Sequence, residues 1–237
     1  MRGLVPARSS CNIQHNNNGG EWWRRMDRWP HDSAKYANRE RSMKFGVLCF
    51  AVILVASTTA HAVDPESVPA PKRTKLGQYF SSQEAAGFLN NNAAKALFLD
   101  VRTPAELAFV GMPTMVDANV PYMVEPDFPA WDDAKATLKL EKNSDFVSEV
   151  RRRLSEKQLG PESTVVLICR SGDRSAAAAN LLAEAGLKNV YSVVDGVEGD
   201  LAKDGPKAGQ RAVNGWKNAG LPWSYTLEKK KMYKIDQ

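Results

Sequence analysis

Residues 164–169 read TVVLIC, and RSGDRSAAAANLLAEAG follows directly. A β-branched, apolar run of this kind has no polar face to turn towards water. It suits the centre of a parallel sheet, where both faces of a strand are covered. The alanine-rich stretch over 175–186 is a strong helix former that ends on Gly186. The same alternation recurs along the chain. ALFLD (96–100) is a buried strand ending on an acid, DANVPY (117–122) a brief strand stopped by Pro121, and NVYSVVDG (189–196) the strand that follows the alanine-rich helix. Helices are expected between them. Ser81 and Glu84 form a capping box, and Thr103, Pro104 and Glu106 supply a second box with proline in the first turn. Phe146, Val147, Val150 and Leu154 recur at helical spacing, with Gly160 as a stop. Strands alternating with helices define an α/β fold with a mainly parallel sheet.

The remaining segments read differently. VDPESVPAPKRTK (63–75) is rich in proline and charge and is expected to be an extended linker, with order starting near Leu76. Residues 122–143 contain two prolines and read as loop. The triplet Arg151, Arg152 and Arg153 reads as a solvated helix face, and residues 227–237 as a basic C-terminal tail.

The formal charge of +5 would ordinarily suggest a nucleic-acid or membrane partner. Its distribution argues otherwise. Residues 1–62 hold nine of the 32 Lys/Arg and four of the 27 Asp/Glu, so residues 63–237 carry 23 of each. Within the first part, MKFGVLCFAVILVASTTAHA (43–62) has the layout of a signal peptide: a basic start, an apolar run over 45–56, and a small-x-small pattern at Ala60-His61-Ala62. Residues 1–42 show no periodicity and read as an over-extended start, with Met43 as the true one. Cleavage near Ala62 is expected to leave a periplasmic or secreted protein with no membrane span and no affinity for nucleic acid.

Of three cysteines, Cys11 and Cys49 precede the expected cut, and only Cys169 remains after it. An internal disulfide is then impossible. All three histidines, His15, His31 and His61, also precede the cut, which leaves no histidine base. Cys169 ends the central apolar run at a strand-to-helix junction, where open α/β sheets bind ligands. The helix start offers free N–H groups and the positive end of a dipole, while Arg170 and Arg174 add full charges. These features favour a thiolate, the nucleophilic form of cysteine. Gly172 permits a tight curl that aims successive N–H groups inward as an anion nest.

The loop CRSGDRS resembles the active-site loop of rhodanese-like sulfurtransferases. FLDVRTPAELAFVGMP is similar to that family's upstream signature, and VVDGVEGD and GWKNAGLPW to its closing strand and tail. The resemblance covers residues 76–226. It implies a single rhodanese-like domain with a five-stranded, mainly parallel sheet flanked by helices. It also implies that Cys169 takes sulfane sulfur from a small anionic donor such as thiosulfate. The sulfur would be held as a persulfide and passed to cyanide, a thiol or a protein acceptor, with no cofactor and no metal. In that picture the backbone of Arg170, Ser171, Gly172, Asp173, Arg174 and Ser175 surrounds the sulfur, and Arg170 and Arg174 hold the donor's oxyanion. Asp173 orients an arginine or simply suits the turn. Asp100 and Arg102 brace the mouth of the site, with Arg102 expected to pair with Glu106. Trp216 and Trp223 read as packing residues. Met112 stands where many members have histidine.

Two other functions compete. A related phosphatase or arsenate reductase would use the same cysteine and arginine. Such enzymes hold five residues between the two, whereas this loop holds four, RSGD, a smaller cradle suited to sulfur. A non-turnover persulfide carrier or a protein-binding rhodanese module is the other alternative. Binding modules typically lose the cysteine, which is present here.

Overall fold

The computed structural model describes residues 63–235. The expected leader and residues 1–42 lie outside them. Five strands make the main sheet: β1 (Tyr79–Phe80), β2 (Ala96–Asp100), β3 (Ala118–Asn119), β4 (Thr164–Ile168) and β5 (Val190–Val193). Their spatial order is β1-β5-β4-β2-β3, and every neighbouring pair is parallel. The helices are α1 (Ser82–Asn92), α2 (Pro104–Val110), α3 (Phe146–Glu156) and α4 (Asp173–Glu184).

β4 lies at the centre, between β2 and β5. Its apolar run is divided between two cores, because successive strand residues face opposite sides. Val165, Leu167 and Cys169 join Leu97, Leu99, Phe146 on α3 and Leu182 on α4. Val166 and Ile168 join Phe98, Ala85 on α1, Leu107 on α2 and Trp216. An alternating strand would leave one of these layers without a floor.

Both capping boxes form as expected, at Ser81/Glu84 and Thr103/Glu106. α4 starts two residues earlier than its alanine run suggests, at Asp173, so Arg174 belongs to its first turn. Met112 pairs with Ser224 in a short antiparallel ribbon and is buried against the Trp216 side of the sheet.

Four stretches differ from the sequence reading. Residues 63–75 are not an extended linker throughout. They contain two 3-10 turns, Pro65–Ser67 and Ala70–Lys72, with Val68 and Lys72 buried. Three prolines, Pro65, Pro69 and Pro71, and a 3-10 geometry let this short strap lie flat on the domain. Residues 122–143 form a two-step antiparallel ribbon rather than a loop, pairing Met123–Val124 with Glu141–Lys142 and Trp131–Asp132 with Thr137–Leu138. The arginine triplet is not simply solvated. Arg153 donates to the Met232 and Lys230 carbonyls and pairs with Glu149, Arg152 pairs with Glu149, and Arg151 donates to the Ala185 carbonyl. The basic tail is therefore docked: Met232 is buried and Tyr233 donates to Asn143.

Candidate active site

The junction after β4 is built by compact turns. Gly172 is the N-cap of α4, with φ of 106° and no side-chain cap. A β-carbon there would stand 2.2 Å from the Val194 carbonyl oxygen, so only glycine fits. From the other side, Gly196 brings its backbone against the Cys169 and Arg170 carbonyls. The amides of Val197 and Glu198 donate to those carbonyls at 2.8 and 2.9 Å. With their carbonyls held outward, the loop residues are free to turn their amides the other way.

Cys169 is buried, and its Sγ accepts from the Gly172 amide at 3.1 Å. The Ser175 hydroxyl lies 3.6 Å from Sγ and bonds the Gly172 carbonyl and the Ser192 hydroxyl. The amides of Arg170, Ser171, Asp173, Arg174 and Ser175 make no hydrogen bond within the described residues. Unpaired donors of this kind are the normal state of a helix start, and they favour an anion there.

Two expected anion-binding arginines behave differently. Arg170 is exposed, and its guanidinium has no hydrogen-bond or ion-pair partner among the described residues. Arg174 is half-buried and forms a two-pronged fork onto Glu106, at 2.6 and 2.5 Å. Burial works against both charges, yet the fork outweighs it. Glu106, also bonded by the Thr103 amide, lies below its ordinary carboxylate range, and Arg174 is held in its charged form. The partner expected for Glu106 was Arg102, and that pairing does not occur. Arg102 is fully buried and turns back on Asp100, with contacts of 3.0, 3.2 and 2.6 Å, and donates to the Gly111 carbonyl. Two residues of separation across the end of β2 put Asp100 closer to Arg102 than Glu106, which is turned towards α4.

Asp173 is exposed on the first turn of α4 and orients neither arginine; an acid there suits the helix dipole. Ser171 is buried beside Cys169. Trp216 is packing: it is fully buried, tilted against Phe98 at 5.6 Å. Trp223 carries the Lys217 ammonium over its ring at 3.7 Å.

Sequence reasoning missed three contributors. Lys72, in the strap, lays its stem against Gly172 and pairs with Asp200 at 2.7 Å. Asp195 accepts from the Ser82 amide and hydroxyl and from the Gly215 amide, tying α1 and the Trp216 turn to the closing loop. Burial nevertheless pushes its carboxyl up. Ser192 stands on β5 beneath the cysteine. Lys72 and Ser192 carry no local motif, and Asp195 lies in VVDGVEGD, which by itself does not show that its carboxylate ties α1 to the Trp216 turn.

A family model for the rhodanese-like domain matches residues 81–203. The chain belongs to that family. The rhodanese-like domain here is 32% identical over 139 residues to an uncharacterized protein of Rickettsia prowazekii (strain Madrid E), which spans 58% of this chain and 87% of that one. It is 30% identical over 148 residues to an uncharacterized protein of Rickettsia conorii, covering 62% and 98%. Among solved structures, the crystal structure of Rv0390 from M. tuberculosis matches with a TM-score of 0.48 and 30% identity, over 63% of this chain and 98% of that chain.

Proposed function

We propose that this rhodanese-like domain is a sulfurtransferase whose nucleophile is Cys169. The observation that carries this reading is the uncapped start of α4. It presents one amide to Sγ at 3.1 Å and leaves five loop amides without partners among the described residues. A persulfide needs this environment, because its terminal sulfur is an anion that must be stabilised without a countercharge in contact.

With thiosulfate as donor, the Cys169 thiolate attacks the outer sulfur. The new S–S bond forms as the donor's S–S bond breaks, and sulfite leaves with the electron pair. Cyanide or a thiolate then attacks the outer sulfur of the persulfide, and the cysteine thiolate is released unchanged. Arg170 is the loop cation free to meet the donor, since Arg174 is committed to Glu106. Arg174 acts by keeping the loop shape. A cradle with four residues between Cys169 and Arg174 argues against a phosphatase.

The test is intact mass after thiosulfate treatment. A gain of about 32 Da (one sulfur), removed by cyanide and absent in Cys169→Ser, is the expected result. Turnover of a phosphate ester without any sulfur adduct would overturn it. A stable adduct with no thiosulfate:cyanide turnover would favour a carrier that serves one protein acceptor. We also propose export to the periplasm, resting on residues 43–62. Cell fractionation tests it, and intact precursor in the cytosol at steady state would count against it.

A further inference from the structure

Beneath Cys169 lies a pair of hydroxyls that the reaction above does not use. Ser192 is fully buried on β5, where it pairs in register with Leu167 of β4. Its neighbour at the same parity, Val190, belongs to the core that holds Leu167 and Cys169. The Ser192 side chain is thus on the Cys169 face of the sheet, covered by α4. Its hydroxyl lies 2.9 Å from that of Ser175, also fully buried, and has no other partner among the described residues.

The hydrogens can be assigned by counting. A buried hydroxyl must donate somewhere, because an unmade bond costs about as much as its desolvation. Among the described residues the only acceptor within reach of the Ser192 hydroxyl is Ser175 Oγ, so Ser192 donates to it. The single hydrogen of Ser175 is then free for either of two acceptors, the Gly172 carbonyl at 3.0 Å or Cys169 Sγ at 3.6 Å. The Gly172 carbonyl already accepts from the Ala176 amide at 3.1 Å, so it stays satisfied when Ser175 turns away. With a thiol, S–H donates to Ser175 and Ser175 donates to the carbonyl. When the thiol proton leaves to water, Ser175 rotates and donates to the sulfur. No buried group is left unpaired in either state.

We propose that Ser192 is a positioning residue for the reactive sulfur. By donating to Ser175 it makes Ser175 a donor to Cys169 in the thiolate and persulfide states. Without Ser192, Ser175 keeps a donor to its lone pairs, the S–H group, only while the thiol is protonated and has none once the proton leaves, so the thiol form gains. The ionisable groups of the surrounding elements are Tyr79 on β1, Asp100 at the end of β2 and Arg102 after it, Glu106 on α2, Arg170 at the loop, Asp173, Arg174 and Glu184 on α4, Lys72 in the strap, Tyr191 on β5 and Asp195 after it. None hydrogen-bonds the Ser192 hydroxyl, and all remain in a Ser192 variant.

The inference rests on Cys169 being the nucleophile, but its test needs no sulfur donor. Iodoacetamide alkylation of the full protein, followed at the Cys169 peptide by mass spectrometry so that Cys11 and Cys49 do not contribute, reads the thiolate directly, so a failed sulfur-transfer assay leaves it interpretable. In Ser192→Ala, alkylation near pH 6 should slow about 3- to 10-fold, the equilibrium weight of one hydrogen bond, with the rate near pH 10 unchanged. Ser192→Thr, which keeps the hydroxyl, should restore most of the rate. In a Ser175→Ala background, Ser192→Ala should add nothing. Identical pH profiles for Ser192→Ala and wild type, or the same slowing in both backgrounds, would overturn the proposal. If Ser192→Ala does not fold, Ser175→Ala alone decides: a wild-type profile there removes the route by which Ser192 could act.

Discussion

Two neighbouring junctions leave the carboxyl end of the sheet, one after β2 and one after β4, paired at Asp100 and Ile168. Each leads through a short turn into a helix. After β2, the chain satisfies itself. Asp100 neutralises Arg102, and Thr103 and Glu106 cap the start of α2 in a reciprocal box. After β4, a left-handed glycine takes the cap position, no side chain caps α4, and the Gly172 amide donates to a sulfur atom. The chemistry of the backbone is the same at both. The difference is whether side chains of the same turn consume the helix-start donors. A closed junction serves as a brace, and an open one can bind an anion. Glu106 joins them, since the residue that closes the α2 cap also grips Arg174 in the open loop.

Breaking the brace should have the largest effect on stability. Asp100→Ala leaves the Arg102 guanidinium buried without its partner, and the loss should be about 3–5 kcal/mol in denaturant unfolding. A loss below about 1 kcal/mol would mean that Arg102 finds another partner.

Gly172→Ala attacks the open junction instead. The methyl group meets the Val194 carbonyl and the backbone is left-handed, so about 2–4 kcal/mol should be lost. Alkylation of Cys169 should change along with stability, because Gly172 supplies the amide on Sγ. Unchanged alkylation would separate the glycine from the site.

Thr103→Ala sharpens the contrast. It removes a cap worth about 1 kcal/mol from α2 and should leave the pH profile of alkylation unaltered. The smallest effect concerns acid. Glu106 lies below its ordinary range, so its pairing stabilises the fold above the usual carboxylate value of 4.5 and is lost as pH falls through the lowered native value. Asp195 has the opposite sign: its carboxyl is raised, and the stability it contributes is lost as pH rises through that raised value. Melting from about pH 6 to pH 3 should therefore fall more steeply in wild type than in Glu106→Gln, by up to about 1 kcal/mol for a partly exposed pair. Asp195 is common to both proteins and cancels.

The sequence by itself determined four of the five sheet strands and the four helices in their order, both capping boxes, the buried central strand, and the loop that carries Cys169, but not the two-residue edge strand Tyr79–Phe80. These depend on residues within about four positions of one another, where periodicity, caps and glycines act directly. Only the tertiary structure decided which charges meet. Glu106 takes Arg174, 68 positions away, and leaves Arg102 to Asp100. It also set Ser192 under the cysteine, brought Lys72 of the strap to Gly172, and docked the basic tail on Arg153. None of these has a local signal, because each partner is chosen by strand order and register. When several acids and bases have similar propensities, the pair that forms is the one the packed sheet brings within hydrogen-bond distance.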